Sequence, residues 1–320
     1  MRTPDWWRGR GAFSTLLQPF ACIYAAAAGW DRTHTTPLRA PLPVIGIGNA
    51  VAGGAGKTPT TLALAPMLAA LGYTPHILTR GYGSRNPTPL HVTAQHDWQQ
   101  VGDEALLLAR AAPTWVCRNR LLAARAAHAA GATLALADDA LQHHRLARDL
   151  TLLVVDGSYG FGNGRLLPAG PLREPVATAL DRSDAVVLIG DNPHALHFDL
   201  PTFTARITPV GNNEDLRDAR LLAFAGLARP EKFYASLRAL GAELVATRDY
   251  PDHHPFTERE LQTLCDMAAK YHAIPIATAK DAVKFPAAFR DRIRTLDVAL
   301  TFDDPVRVQN WLQSRLGAPI

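Results

Sequence analysis

The sequence predicts an α/β protein: a mostly parallel sheet with helices on both faces, joined to a second, smaller α/β lobe and preceded by an amphipathic N-terminal helix. Three observations carry this. Short apolar runs alternate with helix-periodic stretches from residue 44 to 189, the pattern of strands buried on both faces. The run Gly53-Gly54-Ala55-Gly56-Lys57-Thr58 lies between one such strand and one such helix. A polar, turn-rich break at 212–220 then precedes a fresh set of strands and helices. The implied organisation is an N-terminal helix (1–30), a core carrying the glycine loop (31–211) and a C-terminal lobe (212–320).

The 320 residues suffice for one large domain or two ordinary ones, and 48% hydrophobic with 19% charged content belongs to globular chains. A net charge of +4 is mild and scattered. It argues against nucleic acid and suits an anionic substrate or membrane surface. Cys22, Cys117 and Cys265 form no close pair, so no disulfide framework or thiolate metal site is expected. A reducing compartment follows.

In the N-terminal segment, Trp6, Trp7, Phe13, Leu16, Leu17, Phe20, Ile23 and Tyr24 recur at roughly helical spacing behind Arg2, Arg8 and Arg10. The stretch 12–30 carries no charge, yet Gln18, Pro19 and the lack of a cleavage site speak against a signal peptide. It is marginal for a spanning helix, which needs roughly 20 strongly apolar residues. A helix lying in the membrane interface fits the aromatic and Arg content better, the alternative being a helix packed on the domain's own surface.

After a Pro-bearing linker, 44–48 reads as a buried strand, 58–71 as a helix ending at Gly72, and 76–79 as a second strand broken by Arg80-Gly81-Tyr82-Gly83. Val101-Gly102-Asp103-Glu104 opens a helix through 111. A strand near 115–117, an Ala-rich helix at 120–130, and strands 133–137, 152–155 and 186–189 follow, two of them ending at Asp138-Asp139 and Asp156. In the last lobe, strands at 221–225, 243–247 and 275–278 alternate with helices at 230–240 and 257–270. Functional groups of such sheets gather at the C-terminal strand ends, where the glycine loop, Arg80, Asp138-Asp139 and Asp156 fall.

The glycine run is a P-loop. Its backbone N–H groups and the following helix N-terminus favour phosphate, Lys57 reaches the β- and γ-phosphates, and the Thr58 hydroxyl ligates Mg²⁺. Val51 stands where the strict G-x4-G-K-[ST] pattern has Gly, so the match is to the shorter G-G-x-G-K-T form. An acid at a core-strand end near such a loop holds Mg²⁺, directly or through water. If the strand continues, Asp138 and Asp139 point to opposite sides and one reaches the metal; a helix N-cap is the structural alternative. Asp103 and Glu104 suit either helix capping or catalysis, and Asp252-His253-His254 suits either general-base chemistry or a satisfied turn. The Gly- and Pro-dense stretch 160–175 is long enough to be functional, with Arg173 placed to clamp phosphate and Glu174 to assist metal, or else a rigid surface loop.

Together these pieces resemble the tetraacyldisaccharide 4'-kinase family. The matching stretches are Gly48-Asn49 with 53–59, Thr79 to Gly83, Val101 to Glu104, Asp138 to Asp149, Gly162 to Pro175, Asp252-His253-His254 and Lys280-Asp281-Ala282-Val283-Lys284, in the family's order across nearly the whole chain. Leu-Pro-Ala-Gly-Pro-Leu-Arg-Glu-Pro is the most specific of them. The chain departs from the family pattern at Ala140, where Gly is usual, at Leu141, where an aromatic is common, and at Ala279, in place of a frequent Glu.

The resemblance implies ATP- and Mg²⁺-dependent phosphorylation of the 4'-hydroxyl of an acylated glucosamine disaccharide 1-phosphate, giving lipid IVA in lipid A biosynthesis. It implies a P-loop core with a smaller lobe, at the cytoplasmic face of the inner membrane; a monomer is expected. Asp103 becomes the base, oriented by His253, with Lys57 the third catalytic residue. Thr58, Asp138, Asp139 and Glu174 serve the metal, and Glu104, Gln142, His143 and Arg173 the substrate, with Arg118 or Arg120 a further contact. The alternative reading is an ATPase or GTPase regulatory switch of the G-G-x-G-K-T class, which leaves the N-terminal helix and the 162–175 run without a role. The guanine-reading pattern Asn-Lys-x-Asp is absent.

Overall fold

The computed structural model describes residues 4–7, 9–81 and 87–318. Arg2, Arg8 and the Tyr82-Gly83 half of the Arg80 motif lie outside them.

Thirteen strands are present among the described residues: β1 (Val44–Gly48), β2 (Pro75–Thr79), β3 (Leu90–His91), β4 (Thr114–Val116), β5 (Leu134–Ala137), β6 (Leu150–Asp156), β7 (Ala185–Ile189), β8 (Thr202–Pro209), β9 (Arg220–Ala225), β10 (Glu243–Asp249), β11 (Ile274–Thr278), β12 (Arg294–Leu296) and β13 (Val298–Phe302). Nine form one sheet in the order β13-β8-β7-β6-β1-β5-β2-β4-β3. Its seven central strands run parallel, and only the edge strands β13 and β3 pair antiparallel. The second sheet, β10-β9-β11-β12, is parallel throughout.

Every residue of β1, β2, β5, β6 and β7 is buried, because helices cover both faces. The helix Lys57–Ala70 packs Leu64 and Leu68 against Ile45, Ile47 and Ile77 on one face. The helix Arg120–Ala129 covers the other face through Ala123, Ala124 and Ala127, small side chains that let it approach closely. The predicted second lobe is amended at its end. Strand β13 and the helix Pro305–Leu316 return to the large sheet, where Val308 and Leu312 join its core.

Local details also differ from the sequence expectation. The helix expected to open at Val101 is two, Trp98–Val101 and Asp103–Leu108, separated by Gly102 at φ 88°. Asp97 caps the first in a reciprocal box with Gln100, leaving Asp103 at the head of the second. Strand β5 stops at Ala137, and Asp139 takes φ 47°, so the two acids are not opposed across a pleat.

The N-terminal segment forms a short turn at Asp5–Trp7 and helices Ala12–Leu16 and Gln18–His34, four residues longer than expected. Ser14 and Ala21 face the protein, whereas Phe13, Leu16, Phe20, Ile23 and Trp30 are exposed at spacings that place them along one side. Among the described residues no helix is long and apolar enough to cross a membrane.

Candidate active site

The phosphate loop turns out of β1 and enters the helix Lys57–Ala70 through Gly56 at φ 96°, where any Cβ would overlap Ile189. Lys57 Nζ donates to Asn49 Oδ1 at 3.0 Å, and Asn49 Nδ2 donates to the Val51 carbonyl at 2.8 Å. The lysine is thereby held folded back over its own loop.

Val51 explains its departure from the strict pattern. It is buried and pairs with Leu172 in an antiparallel bridge. Ala52 N donates to the Pro171 carbonyl at 2.7 Å, and Arg173 N donates to the Ala50 carbonyl at 2.8 Å. The 162–175 loop is therefore a short strand partner of the phosphate loop, and this pairing delivers Arg173 and Glu174 to the site.

The two acids have separate partners. Asp138 is buried and accepts from Thr58 Oγ1 at 3.3 Å and Thr61 Oγ1 at 2.9 Å. Burial, then the nearby Glu104 and Asp139 charges, push its carboxyl up to about 6 against the pull of Lys57. Asp139 lies 3.5 Å from Lys57 Nζ and 3.2 Å from Arg173 Nη1. Burial would raise its carboxyl, but Lys57, Arg173 and Arg120 outweigh that and hold it well below the usual range. Asp138 is thus tied to the hydroxyls that follow the phosphate loop, while Asp139 pairs with the two cations Lys57 and Arg173.

Glu174 is buried and engaged within the protein: Arg182 Nη1 donates to it at 2.7 Å and Gln142 Nε2 at 3.0 Å. Gln142 also donates to the Asn49 carbonyl at 2.9 Å and accepts from Arg173 at 3.1 Å, so its amide braces the phosphate loop. His143 lines the cleft; burial first, then Arg120 and Arg148, push its imidazole down to about 4, leaving it neutral at pH 7. Among the described residues no three His, Cys, Asp or Glu side chains converge on a metal position. That donor set fits Mg²⁺, which takes one or two carboxylates and fills its octahedron with phosphate and water oxygens.

Across the cleft, His253 Nδ1 sits 2.9 and 3.0 Å from the two Asp103 carboxylate oxygens. Asp103 heads a helix of the large-sheet unit, and His253 lies in the turn after β10 at φ 60°. The pair joins residues 150 positions apart. Burial would raise the Asp103 carboxyl, but the His253 hydrogen bond and the charges of Lys280, His253 and Lys284 lower it below the ordinary value. The Glu104 N–H also donates to Asp103 at 2.9 Å. Between His253 and the glycine loop opens a cavity of about 1470 Å³, lined by both sheet units. It exceeds the usual range of about 300–1,000 Å³ for small-molecule sites, leaving room for a nucleotide and a second substrate.

Several site residues had no assigned role in the sequence reading. Lys280 bonds Asp252 at 2.9 Å and lies 3.5 Å from Glu104. Lys284, almost fully buried, bonds Asp281 at 2.9 Å and stands 3.9 Å from Asp103. Asp156 receives Arg229 at 2.7 Å and a close ion pair from Lys232, and Arg229 also donates to the Gly54 carbonyl. The missed signal was scarcity. Only five of the 33 basic residues are lysines, and Lys57, Lys232, Lys280 and Lys284 all stand at or beside the cleft. Arg182 had no comparable signal. Of the two arginines left open, Arg120 is buried and donates to the Asp138 carbonyl, while Arg118 is exposed on the cleft wall.

A parallel sheet with a Lys-Thr phosphate loop, a buried aspartate bonded to that loop's threonine and a separate Asp–His pair beside the same cleft defines a P-loop phosphotransferase. The chain belongs to the tetraacyldisaccharide-1-P 4'-kinase family, whose model matches residues 13–317. It is 48% identical over 311 residues to the tetraacyldisaccharide 4'-kinase of Paramagnetospirillum magneticum, covering 95% of this chain and 96% of that one. The enzyme of the same name from Rhodospirillum centenum is 47% identical, with 99% and 97% covered. Among solved structures, LpxK from Aquifex aeolicus in complex with ATP superposes with a TM-score of 0.77 at 25% identity, covering 95% of this chain and 99% of that one. The chain is therefore a kinase, and the regulatory-switch reading falls away.

Proposed function

We propose that this kinase transfers the γ-phosphoryl group of ATP to the 4'-hydroxyl of an acylated glucosamine disaccharide 1-phosphate, producing lipid IVA. The observation that carries it is the Asp103–His253 pair, whose imidazole lines the same cleft as the phosphate loop, where an acceptor hydroxyl would meet the γ-phosphate in line. Asp103 takes the proton of that hydroxyl, with His253 orienting its carboxylate. Lys57 and Arg173 offset charge on the phosphates. Thr58 and Asp138 would hold Mg²⁺, which would supply neutralisation of the phosphate charge. Glu174 acts one step back, through Gln142. Glu104, His143, and the arginines 118 and 120 line the region assigned to the sugar.

The division into a phosphate-loop core and a C-terminal substrate lobe supports closure over the nucleotide. The exposed stripe Phe13, Leu16, Phe20, Ile23 and Trp30 supports attachment to a membrane surface, placed at the cytoplasmic face of the inner membrane where an acylated sugar is reached. We assign the working unit as a monomer, with both halves of the dyad on one chain.

The test is transfer of radiolabel from γ-labelled ATP to a tetraacylated disaccharide 1-phosphate in detergent micelles. Labelled lipid is expected. Phosphate release without labelled lipid would overturn the acceptor assignment.

A further inference from the structure

The dyad does not end at His253. Its second ring nitrogen, Nε2, lies 3.4 Å from Lys280 Nζ and 3.8 Å from an Asp252 oxygen. Lys280 also bonds the other Asp252 oxygen at 2.9 Å and lies 3.5 Å from Glu104. On the far side of Asp103, Lys284 stands at 3.9 Å and is itself bound to Asp281. Lys280, Asp252, Glu104, Lys284 and Asp281 are five charged groups around the imidazole and its partner carboxylate.

Donor and acceptor chemistry fixes where the proton sits. An ionised carboxylate only accepts and an ammonium only donates. Nδ1, within 3.0 Å of both Asp103 oxygens, is therefore the N–H of the ring. Nε2 faces an ammonium and presents its lone pair. Three neighbouring carboxylates, Glu104, Asp252 and Asp103, outweigh burial and keep Lys280 charged, its ammonium held above the ordinary value.

We propose that Lys280 is a positioning residue, which locks His253 in the neutral tautomer protonated on Nδ1 and so reserves the Asp103 carboxylate for the proton of the acceptor hydroxyl. This deepens the proposed function and rests on Asp103 as its base. In the step itself the hydroxyl O–H bond breaks and its proton goes to Asp103. The oxygen pair forms the new P–O bond, and the bond from the γ-phosphorus to the bridging oxygen breaks with its electrons leaving on ADP. Without Lys280, Asp252 loses its counter-ion beside Nε2 and draws a second proton onto the ring. An imidazolium against Asp103 then makes that carboxylate a poorer base.

The experiment is nitrogen NMR of the full-length protein carrying ¹⁵N-labelled histidine, with His253 identified by the signals lost in His253→Gln. The wild type is expected to show one protonated and one bare nitrogen at pH 7, with the proton on Nδ1. Lys280→Met is expected to protonate both nitrogens, with kcat falling about tenfold to a hundredfold, the low end of what a positioned base contributes, at unchanged KM for ATP. Lys280→Arg restores the cation and is expected to return the wild-type ring pattern and most of kcat. A wild-type ring protonated on Nε2, or a Lys280→Met ring identical to wild type, overturns the proposal. If Lys280→Met does not fold, the wild-type spectrum and Lys280→Arg decide it. The ring signals do not depend on turnover, so failure of Asp103 as base would be read separately, from Asp103→Asn.

Discussion

Val51 and Leu172 face each other across an antiparallel bridge that makes the 162–175 loop a strand partner of the phosphate loop. The bridge is flanked by hydrogen bonds from Ala52 to Pro171 and from Arg173 to Ala50. A residue that looks like a defect in the phosphate-binding pattern is thus the anchor for the loop carrying Arg173 and Glu174. Leu141, Val155 and Leu172 share one apolar cluster with Val51.

Restoring the full glycine pattern is therefore expected to harm the enzyme. Val51→Gly removes a buried side chain and loosens the backbone, a combined loss of about 2–3 kcal/mol. Denaturant unfolding should show a lower midpoint, and KM for ATP should rise as Arg173 loses its register. A variant as stable as wild type, with unchanged KM, would show that the bridge has no consequence.

Asp138 and Asp103 respond to pH in opposite senses. Asp138, at about 6 when folded, lies above its unfolded value of 3.8. Between those values the folded protein holds one more proton, so the free protein gains stability from this group as pH falls and loses it as pH rises through about 6. Asp103 is depressed, so its contribution is complete above 3.8 and is lost at lower pH, as pH falls through its folded value. The proposed metal role of Asp138 needs its carboxyl ionised. Affinity for Mg²⁺–ATP is expected to fall by up to roughly tenfold per unit below pH 6, with about one proton released on binding. Calorimetry in buffers of different ionisation heat measures that proton. Asp138→Asn should abolish the release, and a flat affinity from pH 7.5 to 5 would remove Asp138 from the metal.

The large sheet was legible because its strands are continuous apolar runs and its glycine loop falls at a strand–helix junction. Strands β3 and β8 were missed, since Leu90–His91 is two residues long and Thr202–Pro209 alternates buried and exposed positions. The return of β13 to the large sheet was invisible because Val298–Phe302 reads the same in either sheet; only its pairing with β8 decides. In the site, Lys57, Thr58 and Asp138 follow from local pattern. The Asp103–His253 contact does not, because no periodicity encodes a hydrogen bond spanning 150 residues between two units. Gln142, expected to serve the substrate, and Glu174, expected to serve the metal, bond Asn49 and Arg182, contacts that no local pattern encodes.

The dyad predicts a division of labour in kinetics. Asp103→Asn keeps the shape and its neighbours' packing but removes the base, and kcat should fall by about 10²–10⁴. Nucleotide affinity should persist, because the bonds of Asp103 go to His253 and Glu104 rather than to the glycine loop. His253→Gln should lower kcat less, since Asp103 keeps Glu104 N–H and Lys284 as partners. Equal kcat in wild type and Asp103→Asn would dismiss the base assignment.

The N-terminal stripe separates anchoring from structure. Asn163 Nδ2 donates to the Trp6 carbonyl at 2.9 Å and to Ser14 Oγ at 3.0 Å, and Ser14 Oγ donates to the Ala169 carbonyl at 2.6 Å. Deleting the first 25 residues would strip these bonds from the loop that pairs with Val51, confounding membrane loss with damage to the site. Changing Phe13, Leu16, Phe20 and Ile23 to Ser touches only side chains that are 51–70% exposed. Each such surface change should cost within about 0.5 kcal/mol of stability. Vesicle binding is another matter, because each large apolar side chain contributes about 1.5 kcal/mol or more when buried. On that scale the fourfold variant should partition onto phosphatidylethanolamine–phosphatidylglycerol vesicles at least about a hundredfold less, while phosphorylating a detergent-dispersed acceptor at the wild-type rate. Cosedimentation as complete as that of the intact chain would sink the membrane reading. Slow turnover in detergent would instead place these side chains in the loop's support.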